Sequence, residues 1–89
     1  MATYTHPAQP LTLTLTPVRT NGATGEPATR PADRNTNLYQ AAKEDLDRRL
    51  AAEERYASRM VRDHVPSTRT VVAELKQNGV LVDRDEAHR

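Results

Sequence analysis

Three histidines, His6, His64 and His88, are the side chains best suited to metal binding or proton transfer, but they stand in three separate regions with no second ligand at zinc spacing. His64 adjoins Asp63, and neighbouring residues on a helix point in different directions, so the two do not form a dyad; an end-of-helix role is expected for the histidine. Glu44, Asp45, Asp47, Glu53 and Glu54 crowd one stretch without the apolar pocket that would move a carboxylate toward acid/base work, and are expected to solvate a helix. Asp83, Asp85 and Glu86 lack the glycine turn and full oxygen set of a calcium loop. There is no cysteine, hence no CxxC pair, thiolate zinc site or disulfide. No glycine-rich loop could cradle phosphate, and with no Phe or Trp and only Tyr4, Tyr39 and Tyr56, no platform for stacking nucleobases is expected. The sequence therefore predicts a non-enzyme with no cofactor and no metal.

The remaining chemistry is charge and surface. The formal net charge is +1, from 13 basic and 12 acidic residues, too balanced for a wholly basic nucleic-acid binder. The distribution is uneven. Lys43 to Glu54 carries three basic and five acidic residues; Arg55 to Lys76 carries five basic (Arg55, Arg59, Arg62, Arg69, Lys76) and two acidic, Asp63 and Glu74. A polyanion would prefer the second stretch.

The elements that must position these residues fall into three regions. Residues 1–35 hold all but one of the six prolines and two of the three glycines, a composition that offers little apolar area against the chain entropy lost on folding, so a flexible arm is expected. Within it, Leu11-Thr12-Leu13-Thr14-Leu15-Thr16 alternates strictly and predicts a strand over 11–16 with three leucines on one face. Its partner is expected to be Val80-Leu81-Val82 or a strand of another protein. Asn21-Gly22, Gly25, Pro27 and Pro31 mark the stretch between Arg19 and Arg34 as a spacer. The opening MATYTHPAQPLTLTLTPV has no basic leader, and its apolar residues are broken by threonine, so a soluble, cytoplasmic protein without membrane contact is expected.

Residues 36–82 are expected to form a helical interaction module. Asn37 with Gln40 has capping-box spacing, and the chain onward to Val65 contains no glycine or proline and is rich in strong helix formers. Leu38, Ala42, Leu46, Leu50, Ala57, Met60 and Val61 give a helical stripe that breaks at Glu53 and Glu54. Asp45 and Arg49 have the acid-before-base spacing that supports a helix. Pro66 stops this helix, and Ser67 is placed to cap a second, shorter one carrying Val71, Val72 and Leu75 and ending at Asn78-Gly79. Residues 83–89 are expected as a charged, frayed tail. The predicted fold class is mainly α: a long helix, a turn and a short helix, with one short N-terminal β-strand.

Ser67-Thr68-Arg69-Thr70-Val71, with Leu75 and Gly79 following at set intervals and a short apolar run after them, resembles the second helix of helix-turn-helix DNA-binding domains over residues 57–82. That resemblance implies duplex-DNA contacts from Ser67, Thr68, Arg69, Thr70, Lys76 and Arg62, with Arg69 reading a base edge and Val71 and Leu75 facing inward. The leading expectation from the residues themselves is a small helical protein-protein interaction module of regulatory, antitoxin-like or phage accessory type. It would associate with its own copy, as a homo-oligomer, or with a protein partner. Its interface would draw on Leu11, Leu13, Leu15, Leu38, Leu46, Leu50, Met60 and Val61, because one long and one short helix make a meagre core.

Overall fold

A computed structural model describes residues 11–57 and 67–89. Five elements follow in chain order: β1 (Leu11–Arg19), β2 (Ala28–Ala32), α1 (Leu38–Ala57), β3 (Thr68–Gln77) and β4 (Val80–His88). The strands form one antiparallel sheet in the order β2-β1-β3-β4, so β1 and β3 are its centre. The mainly α, two-helix class expected from the sequence is overturned: among the described residues there is one helix, and the chain expected as a second helix is a β-hairpin.

The alternation of β1 works as read, but over a longer span and with different neighbours. Leu11, Leu13 and Leu15 are 6%, 0% and 2% exposed and face α1, with Pro17 buried behind them, while Thr12, Thr14, Thr16 and Val18 line the opposite face. Instead of pairing with Val80-Leu81-Val82, β1 pairs with β3 from Leu11↔Gln77 to Arg19↔Thr68, and with β2 from Leu11↔Ala32 to Leu15↔Ala28. The stretch expected as a spacer supplies the β1–β2 turn and an edge strand. Gly22 takes φ +87° at the tip, where its N–H donates to the Arg19 carbonyl at 2.9 Å and the Asn21 side chain accepts the Ala23 N–H at 2.9 Å. Gly25 then lies against β1, its N–H donating to the Pro17 carbonyl at 2.8 Å.

The helix start is the other feature that stands as predicted. Asn37 Oδ1 accepts the Gln40 N–H at 3.0 Å, the cap expected of that pair, although the Gln40 side chain reaches forward to Glu44 instead of back. Leu38, Ala41, Ala42 and Leu46 are buried beneath α1 and Leu50 packs at the margin of the core. The helix lies over β3 and β4 and only grazes β1. The predicted continuation to Val65, including Met60, Val61, Arg62 and His64, falls outside the described residues, as does Pro66.

The hairpin that replaces the second helix has a local cause. Thr68, Thr70, Val71 and Val72 are β-branched and suit a strand. Val71 and Leu75, an i,i+4 pair on a helix, equally share one side of a strand with Ala73 between them. All three are buried against α1. Asn78 and Gly79 have φ +54° and +77°, the pattern of a type I′ turn that joins two strands through two residues. They form a hairpin turn and not a helix end, and the following chain, expected as a frayed tail, returns as β4 to bury Ala87 opposite Val71.

Candidate interaction surface

The polar residues that the fold buries are used to hold it together. Asp45, 3% exposed, is gripped on the helix by Arg48 and by Arg49, whose Nε lies 2.5 Å from Asp45 Oδ2. The pair predicted from spacing thus exists, with its carboxylate buried and Arg49 half-buried where an exposed pair was expected. Glu53, which breaks the apolar stripe, accepts the Thr68 N–H at 3.1 Å and the Thr68 hydroxyl at 2.6 Å, tying the last turns of α1 to the start of β3. That contact fixes the direction of α1, from the Gln77 end of the sheet toward the Thr68 end.

The arrangement of Ser67 to Thr70 excludes the recognition helix that the resemblance implied. A bulge between Val18 and Arg19 in the β1–β3 register turns Thr68 inward onto Glu53, while Thr70 faces the other side of the sheet with its hydroxyl 2.9 Å from His88 Nδ1. Ser67 accepts the Thr20 N–H through its carbonyl at 3.0 Å and the Arg89 Nη1 through its hydroxyl at 2.8 Å. Arg69 is exposed, with its carbonyl taking the Arg89 N–H at 2.8 Å. Lys76 lies near the far end of β3, roughly 20 Å away along a strand rising about 3.3 Å per residue. These residues do not share one face, and Arg62 lies outside the described residues.

The leucines expected at an interface are also placed differently. Leu11, Leu13, Leu15, Leu38 and Leu46 are consumed by the chain's own core, and Leu50 packs at its edge. Met60 and Val61 are outside the described residues.

Two surfaces remain without a layer over them among the described residues. The first is the sheet face opposite α1. Its rows, read from the register, run Pro31-Thr12-Lys76-Leu81, then Thr29-Thr14-Glu74-Arg84, then Thr16-Val72-Glu86, then Val18-Thr70-His88. It is neutral and threonine-rich, with Glu86 bridging Arg84 and, at 3.2 Å, His88 Nε2. An antiparallel sheet tolerates such a face in water.

The second surface is the outer edge of β4. Among the described residues β4 is the last strand on its side, so one line of its backbone N–H and C=O groups has no neighbouring strand. Its first three residues, Val80, Leu81 and Val82, are 66%, 48% and 43% exposed, three large apolar side chains in succession. Asp83, Arg84 and Asp85 follow, all exposed. Sequence reasoning offered the apolar triplet as one of two possible partners for the 11–16 strand and missed its exposure; Asn78-Gly79 between alternating segments was the signal that could have revealed the hairpin. Among the described residues no group of histidines and carboxylates is arranged to hold a metal ion, and no helix is long and apolar enough to cross a membrane. No protein-family model, curated protein or solved structure matches the chain.

Proposed function

We propose that this chain is a non-catalytic α/β association module, which binds another polypeptide through the part of its sheet that α1 leaves uncovered. The observation that carries this reading is the run Val80-Leu81-Val82, three contiguous exposed apolar residues on a strand whose outer edge has no neighbouring strand among the described residues. A lone exposed leucine is ordinary on a protein surface, whereas an apolar run on a free edge is what proteins cover. The most embedded acidic groups are structural: buried Asp45 holds its two arginines and half-buried Glu53 holds Thr68. That use of buried charge supports a scaffold in preference to a reaction centre.

Site-specific photo-crosslinking tests the reading in cells that naturally make the chain. A photoreactive residue at Leu81 is expected to give one discrete adduct, which a control at Glu54 on the exposed side of α1 does not give and which Val82→Asp removes. Adducts of equal yield at both positions, or none at Leu81, would overturn it. An adduct of twice the chain's mass would make the partner a second copy.

A further inference from the structure

We propose that the outer edge of β4 receives an extended, basic segment of another protein, which adds to the sheet as a fifth strand; this rests on the reading that the chain is an association module. The two edges of the sheet differ in what they permit. β2 is five residues long and carries Pro31, which has no N–H to offer and whose ring obstructs an added strand. β4 runs nine residues without proline or glycine. A bulge opposite Leu75/Lys76 leaves Val82 without a register partner, but from Asp83 to His88 the pairing is regular. This stretch can bond an added strand once the Arg84 and Glu86 N–H groups leave the Asp83 and Asp85 carboxylates that accept them.

Charge selects the occupant. On the α1 side of β4, Asp83 and Asp85 stand two residues apart, so they point the same way, and both are exposed. Each carboxylate accepts the N–H of the following residue, at 2.8 Å in both cases, and so caps an outward-facing amide that an added strand takes over as its own cation draws the carboxylate away. Arg84 faces the other side, where Glu86 holds it, so the edge shows two carboxylates with no ion pair among the described residues beside a neutralised pair. An added strand places its own side chains about 5 Å across from these positions, where lysine or arginine at alternate residues would meet Asp83 and Asp85. The apolar run Val80 to Val82 then offers contact for aliphatic residues at one end of the segment.

The same charges disfavour a second copy. Two-fold antiparallel pairing of β4 with itself centred on Arg84 sets Asp83 against Asp85 of the copy and Arg84 against its equivalent. Centring on Asp83 sets that carboxylate against itself, Arg84 against Val82 and Asp85 against Leu81. Centring on Asp85 again opposes like carboxylates, and the Arg84–Glu86 pairs then formed across the axis only replace those already present within each chain. Centring on Leu81 joins the apolar runs, but the Asn78–Gly79 turn ends the strand immediately beyond Val80.

The test uses the full chain, isotopically labelled, with three capped peptides as long as β4: one alternating valine and lysine, one alternating valine and glutamate, and the lysine peptide interrupted by a central proline. The lysine peptide is expected to slow exchange of the outward-facing β4 amides. The glutamate peptide should bind roughly tenfold more weakly, and the proline peptide should give no protection. In Asp83→Lys/Asp85→Lys the preference should reverse to the glutamate peptide; both positions are exposed, so the circular dichroism spectrum should be retained. Failure of all three peptides to protect β4, equal binding of the proline peptide, or an unchanged preference in the doubly substituted chain would each overturn the proposal. If the Leu81 crosslink to another protein persists despite such a result, only the basic-strand inference falls; if that crosslink is absent too, the association reading falls with it.

Discussion

Asp45 and its two arginines show how the setting of an ion pair decides its worth. The Asp45 side chain is 1% exposed, Arg49 is 23% exposed and Arg48 is 66% exposed, so the carboxylate cannot recover its hydration if a partner is lost, while Arg48 already sits mostly in water. Arg49→Ala is therefore expected to destabilise the fold by about 2–3 kcal/mol, the range for leaving a buried charge underpaired, and Arg48→Ala by less than about 1 kcal/mol. Urea unfolding of the two variants checks the order; equal effects would mean that the helix surface, and not burial, sets the energy. Thr68 makes a parallel case across elements. Thr68→Val keeps the shape but removes the hydroxyl that Glu53 accepts, with an expected loss of about 1.5–3 kcal/mol, and Thr68→Ser should restore most of it. The Asp45–Arg49 pair was readable from its spacing, but the contact between distant elements, Glu53 with Thr68, was not. Glu53 was visible only as an interruption in an apolar stripe, because a one-dimensional pattern does not show which strand will arrive beside it.

At the scale of elements, the two turns make opposite demands on glycine. Gly79 has φ +77° with open space around it, so Gly79→Ala costs backbone strain alone, about 1–2 kcal/mol. Gly25 has no such conformation, but a Cβ there would lie 2.9 Å from Pro17 Cγ, and Gly25→Ala is expected to cost about 1–3 kcal/mol through crowding. Pro17→Ala should relieve the second defect and leave the first untouched, so a double-mutant cycle by thermal unfolding separates strain from contact. The helix and β1 were legible because each has one buried face and a matching period: Asn37 caps a chain with helical spacing, and Leu11, Leu13 and Leu15 alternate with threonine. The hairpin was not. Val71 and Leu75 satisfy both periods, and Asn-Gly ends a helix as readily as it joins two strands. β4 was hidden for a different reason, since Ala87 is its single fully buried residue and Asp83 and Asp85 remain exposed even on the helix side. A strand with one buried apolar side chain has no alternation to read, and its placement follows only once β3 and the turn are known.

For the molecule as a whole, the decisive fact is that the sheet's centre joins chain segments far apart in sequence. β1 lies near the start of the described chain and β3 near its end, and neither can bury its apolar face until the intervening helix has formed and docked. A helical hairpin closes through local contacts in microseconds, whereas a central β1–β3 pairing must first meet the entropy of a long loop, which places folding in the millisecond-to-second range. Leu13 probes that step because it is fully buried in β1, opposite Leu75. Leu13→Ala should cost about 3–4 kcal/mol, a large share of what a domain this small can hold, and should slow refolding if the pairing is formed in the transition state. Val82→Ala, on the exposed edge, should leave both stability and refolding rate nearly unchanged. Stopped-flow refolding of the three proteins decides the matter: microsecond relaxation of the parent chain, or a Leu13→Ala variant as stable as the parent, would be incompatible with a sheet built around β1 and β3.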